Sequence, residues 1–136
     1  MVLFQRPVPR AAYAQVWPWP VGIDLIRAVN RAHFPDMPLG RNLTNLMVFG
    51  AVVTFHVDRQ MCTQSSLAQF LEMTSRTVGT ALAFLMRRDL VIKGAGDRYV
   101  PSDRVHTDQL GNIQRLVEVV GDRLLTAPKM GSQIVA

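Results

Sequence analysis

Three features of the sequence predict a mainly α fold with one small β-hairpin. Apolar residues recur at helical spacing in 21–34, 42–58, 64–71, 74–89 and 106–125. Around 91–100 the pattern shortens to that of strands, with Leu90-Val91-Ile92-Lys93 and Arg98-Tyr99-Val100 flanking Gly94-Ala95-Gly96-Asp97. Only Glu72-Met73-Thr74 separates the third helical stretch from the fourth, so two helices meet through a tight turn just before the hairpin.

Composition sets the frame. A chain of 136 residues is about one domain and can bury a single core. With 49% apolar and 18% charged residues it has the makings of a folded body and not of a solvated tail. The net charge is +5 and the isoelectric point about 10.3. Thirteen of the fifteen basic residues are arginine, whose planar fork matches phosphate oxygens. Cys62 is the one cysteine, which excludes an intramolecular disulfide and a thiolate metal cluster. Prolines at 7, 9, 18 and 20 occupy the place of a secretory apolar segment. The most apolar run, 43–57, is broken by Thr44, Asn45 and His56 and is short for a membrane span. A cytoplasmic protein without membrane contact is the expectation.

Residues 1–20 read as an extended arm, since four prolines break a helix. Leu3, Phe4, Tyr13, Trp17 and Trp19 favour packing of the arm on its own domain or a partner subunit; insertion of Arg6 and Arg10 into a DNA groove is the other reading. Stretch 21–34 places Ile23, Ile26, Val29 and Ala32 on one stripe, with Asp24, Arg27, Asn30 and Arg31 elsewhere, an amphipathic helix ending near His33. Asn42 is the expected cap of the next helix, which is apolar nearly all round and therefore suited to the core or a subunit interface. Gly50 in its middle points to a close helix crossing. Met61-Cys62 could add a short strand beside the hairpin. Cys62 reads as a small buried apolar residue rather than an activated thiol.

Thr63 and Thr74 are the expected caps of the two helices that follow. Gln64, Ser65 and Ser66 fall in the first turn of the former, where amides and hydroxyls suit a phosphate. In the latter, Val78, Leu82 and Leu85 form an inward stripe. The opposite side carries Arg76, Thr80, Ala83 and Arg87, with Ser75, Thr77 and Gly79 near the start. Arginine can grip guanine through two bonds, and hydroxyls can bond several base edges, so this side has the chemistry of major-groove reading. Gly79 would let the backbone approach closely, or is a helix glycine with no role. Gly94 and Gly96 are expected to supply positive φ at the hairpin bend, with Lys93 and Arg98 beside it for backbone phosphate.

The run Thr63-Gln64-Ser65, Leu67-Ala68, Leu71, Thr74, Thr77-Val78, Leu82, Leu85, Arg88 and Leu90-Val91 resembles the winged helix-turn-helix transcription regulators of bacteria, most nearly the MarR type. About 30 residues carry the likeness. Glu72 and Asp89 stand where that family usually has glycine. The resemblance implies a winged helix-turn-helix with extra N- and C-terminal helices, and a homodimer placing two recognition helices in successive major grooves of double-stranded DNA. It also implies wings near the flanking minor grooves.

The last helical stretch repeats in steps of three and four: Leu110, Ile113, Val117, Val120 and Leu124. So regular a seam suits a dimer interface; packing on the first two helices of the same chain is the alternative. The expected organisation is therefore an arm at 1–20, a winged-helix domain at 21–125 whose helix at 106–125 dimerises, and a frayed tail at 126–136. The functional expectation is sequence-specific DNA binding by a dimeric regulator, a repressor. Alternatives are a replication-initiator or phage-type DNA-binding domain, or a winged helix used for protein contacts. The apolar stretch 43–57 could line a cavity for a small-molecule effector of unknown identity. Histidines scattered at 33, 56 and 106 and the lack of a paired-carboxylate or metal-ligand spacing argue against an enzyme, a metal site or a cofactor.

Overall fold

Helix α1 spans Trp19–His33 and α2 spans Leu39–Val57. They are followed by α3 (Gln64–Leu71), α4 (Ser75–Arg87), β1 (Val91–Lys93) and β2 (Tyr99–Pro101). The structure is a computed structural model and describes residues 19–105 together with Glu118 and Gly121. The expected arm up to residue 18 and the repeat of Leu110, Ile113, Val117, Val120 and Leu124 lie outside the described residues. Helix α1 begins two residues inside the expected arm, because Pro20 falls in its first turn, where a missing N–H costs no helical bond. Residues 103–105 are already helical, three residues before the expected start of the last helix.

Helix α2 is the central element. Its inward side (Leu46, Val48, Phe49, Ala51, Val52, Phe55) meets α1, α3, α4 and β2. The core continues through Leu67 of α3, Val78, Ala81, Leu82 and Leu85 of α4, and Leu90, Val91 and Tyr99 of the hairpin. Phe34, just after α1, is fully buried; its ring stands edge-on to Phe49 at 6.2 Å and stacks on Phe84 at 6.2 Å. The guanidinium of Arg88 lies 5.3 Å from the Phe34 ring and 5.4 Å from the Phe84 ring. Its Nη1 donates to Oδ2 of Asp36 at 3.2 Å, while Nη2 pairs with Oδ1. That pairing holds the Asp36 carboxyl below its ordinary range.

Asn42 does not cap α2. The helix starts three residues earlier behind an extended Pro38 that makes no side-chain cap bond. Asn42 is instead fully buried, donating from Nδ2 to Oδ1 of Asn30 at 2.8 Å and accepting from Asn45 at 3.0 Å. Asn30 in turn donates to the Met37 carbonyl at 2.9 Å. Asparagine carries both donors and an acceptor, so such a chain satisfies itself under the α1–α2 junction. Asn30, which the periodicity sets off the apolar stripe of α1, is thereby buried as well. Nor is α2 covered all round: Leu43, Met47 and Val57 are exposed.

The two-stranded hairpin pairs antiparallel, Val91 with Pro101, Ile92 with Val100 and Lys93 with Tyr99. Met61-Cys62 forms no strand, although the Tyr99 N–H donates to the Cys62 carbonyl at 2.8 Å. Of the two glycines at the bend only Gly96 takes positive φ (70°); Gly94 is extended, and Asp97 supplies the second left-handed residue (57°). Cys62 is buried, and burial pushes its thiol up to about 11, consistent with an inert core residue. Among the described residues no helix is long and apolar enough to cross a membrane.

Candidate nucleic-acid interface

The corner between α3 and α4 is built by its caps. Oγ1 of Thr63 accepts from the Ser66 N–H at 3.0 Å while Oγ of Ser66 accepts from the Thr63 N–H at 2.8 Å. This reciprocal box satisfies two donors at the start of α3. Thr74 accepts from the Thr77 N–H at 3.2 Å and opens α4. Between them Glu72 closes α3 in the left-handed region (φ 53°), and Asp89 does the same after α4 (φ 59°). These are the two places where glycine was the expected residue for such turns, and the backbone there has the conformation that glycine adopts most readily.

Helix α4 buries Val78, Ala81, Leu82 and Leu85. At about 100° per residue, Arg76, Thr80, Ala83 and Arg87 fall within roughly 60° of one another on the other side. Arg76, Thr80 and Arg87 are exposed, as are Ser75 and Thr77. Among the described residues neither Arg76 nor Arg87 has a side-chain partner, and Glu72 is the one acid between Thr63 and Arg88. The two arginines thus lie about 16 Å apart along one helix face, at 1.5 Å per residue.

The hydroxyls have local partners. Thr80 donates to the Arg76 carbonyl at 3.0 Å, and Thr77 and Thr74 share a bond at 2.8 Å. Ser75 receives a bond from Gln64, whose Nε2 reaches the Ser75 carbonyl at 2.8 Å and its Oγ at 3.1 Å. Gln64 is therefore a brace from α3 to the start of α4. Gly79 has a structural reason that neither sequence reading supplied: a Cβ there would sit 2.7 Å from Gln64 Nε2. The signal was present as a glutamine in the first turn of one helix and a glycine in the second turn of the next. Ser65 is exposed at the start of α3.

On the hairpin Lys93 is not free. Its Nζ lies 3.1 Å from Oδ1 of Asp97, which raises the ammonium's pKa, and 6.0 Å from the Tyr99 ring. Arg98 is exposed and without a side-chain partner among the described residues. The structure thus gathers Gln64, Ser75 and Gly79 into one corner and sets Arg76, Thr80 and Arg87 on one face. Lys93 and Arg98 belong to a separate element. The described residues hold no group of three His, Cys, Asp or Glu side chains able to bind a metal ion.

Comparisons with protein-family models, curated proteins and solved structures found no match for this chain.

Proposed function

We propose that this chain is a winged helix-turn-helix protein of the transcription-regulator kind, binding double-stranded DNA as a homodimer through α4. The observation that carries the reading is the exposed, unpaired Arg76 and Arg87 on the solvent side of a helix whose other side is locked into the core. Helix α4 is the recognition helix in this reading. Its arginines address base edges or phosphates, and Ser75, Thr77 and Thr80 offer hydroxyl oxygens that can still accept bonds. Gln64 and Gly79 fix how α3 sits against the entering end, with Ser65 beside it for phosphate. The hairpin is the wing, where Arg98 is the free cation and Lys93 must exchange Asp97 for phosphate. In the dimer, the repeat from Leu110 to Leu124 is the association seam, and a repressor's mode of action follows from occupying an operator.

Selection from randomised duplex DNA, followed by sequencing of the retained fragments, tests this directly. Affinity should fall steeply as salt rises. Arg76→Ala should cost about 1–3 kcal/mol at one base position. Arg98→Ala should weaken all sequences alike and reduce the salt slope by about one. DNA binding untouched by both Arg76→Ala and Arg87→Ala would favour a winged helix that contacts proteins.

A further inference from the structure

Along α2 the residues Gly40, Leu43, Met47, Gly50, Thr54 and Val57 alternate in steps of three and four, and every one is exposed. Leu43 is 45% exposed, Met47 48% and Val57 72%. No charged side chain interrupts the row, which is unusual for a solvent-facing helix side. A Cβ built on Gly50 meets nothing within 4 Å, so no neighbour in the described fold accounts for a glycine there. A notch flanked by exposed apolar side chains suits the close approach of a second helix.

The chain itself supplies a matching row. Thirty-one residues (136 minus 105) follow Val105. In them Leu110 to Leu124 spans fourteen positions, the same as Leu43 to Val57. Read backwards, the α2 row has the same order of steps, so an antiparallel pairing sets Leu110 level with Val57, Val117 with Gly50 and Leu124 with Leu43. A β-branched residue then meets the notch. The same register brings Asp108 level with the exposed Arg59, opposite in charge. Glu118, off the repeat, is helical and exposed, and Gly121 is helical.

Area decides whose segment it is. In this register 110–125 overlies 42–57, about 24 Å of helix, and over a strip about 10 Å wide buries roughly 500 Å² in all; two such contacts reach about 1,000 Å², the least expected of a specific interface. Mutual exchange gives two contacts, whereas a single α2-on-α2 contact gives half that area. We propose, building on the dimeric reading above, that segment 106–125 of a second copy lies antiparallel across the exposed row of α2, and that the exchange is reciprocal.

Full-length copies carrying Cys62→Ala and Gly50→Cys are refolded together with copies carrying Cys62→Ala and Val117→Cys, then mildly oxidised without DNA. Disulfide-linked dimers should form in the mixture and from neither variant alone. Three outcomes overturn the proposal. They are a mixture that stays unlinked, dimerisation of Gly50→Cys alone through α2, and closure only within one chain when both cysteines are placed in it. Met47→Glu provides a second readout, since that side chain is 48% exposed in the described fold. By sedimentation it should raise the dimer dissociation constant at least tenfold while the helical circular dichroism persists; an unchanged constant overturns the proposal. Because no DNA is present, linked dimers that fail to bind any duplex would sink the DNA reading and leave this pairing standing.

Discussion

At the scale of single residues, Gly79 and Gln64 form a coupled pair. Alanine at Gly79 gains about 1 kcal/mol of helix propensity but displaces the Gln64 amide, and with it hydrogen bonds worth roughly 1 kcal/mol. Gly79→Ala should therefore leave stability nearly unchanged in the native background. In a Gln64→Ala background, where no brace remains to be lost, it should stabilise by about 1 kcal/mol. A double-mutant cycle by urea unfolding measures the difference, and equal effects in both backgrounds would count against the brace. Asp36 offers a second test. Its pKa is lowered in the folded chain, chiefly by the Arg88 hydrogen bond, so its contribution is complete above 3.8 and is lost as pH falls through the lower folded value. The stability gap between the native chain and Asp36→Asn should hold steady from about pH 6 to pH 4 and then shrink toward pH 3. A gap independent of pH would show that the pairing contributes nothing.

At the scale of elements, the turn after α3 carries a conformational cost. Glu72 occupies left-handed backbone, where a side chain costs about 1 kcal/mol relative to glycine. Glu72→Gly should raise the urea midpoint by the equivalent of up to roughly 0.5 kcal/mol, after allowance for the greater freedom of an unfolded glycine. A fall in the midpoint would mean that the Glu72 side chain stabilises the turn by more than its backbone costs. Much at this scale was legible in the sequence. Thr63 and Thr74 cap as their position before an apolar repeat implies, and the inward stripe Val78, Leu82 and Leu85 is buried as its spacing requires. What was not legible depends on distant partners. Asn42 has the chemistry of a cap, and only the approach of Asn30 from another helix makes it a core residue. The bend likewise has glycines at 94 and 96, yet the positive φ falls at 96 and 97, because strand register decides which residue turns.

At the scale of the whole molecule, Phe34 ties the connection between α1 and α2 to α4 through Phe49 and Phe84. Removing that ring empties the junction of three helices. Phe34→Ala should cost about 3–5 kcal/mol, measurable as a large fall in the denaturation midpoint. Arg76→Ala, on an exposed face, should leave the midpoint within about 0.5 kcal/mol. The candidate interface was legible to the extent that helical periodicity assigns sides. Arg76, Thr80 and Arg87 share a face as expected, whereas the ion pair of Lys93 with Asp97 was not visible in a four-residue spacing across a bend. The row Asn30–Asn42–Asn45 has a further effect. Its members are neutral amides, with no proton to gain or lose and no counterion to attract. The angle it sets between the first two helices is therefore indifferent to ionic strength. A rise in salt sufficient to strip a polyanion from the arginines would leave that internal scaffold as it was, so the titration would report the surface alone.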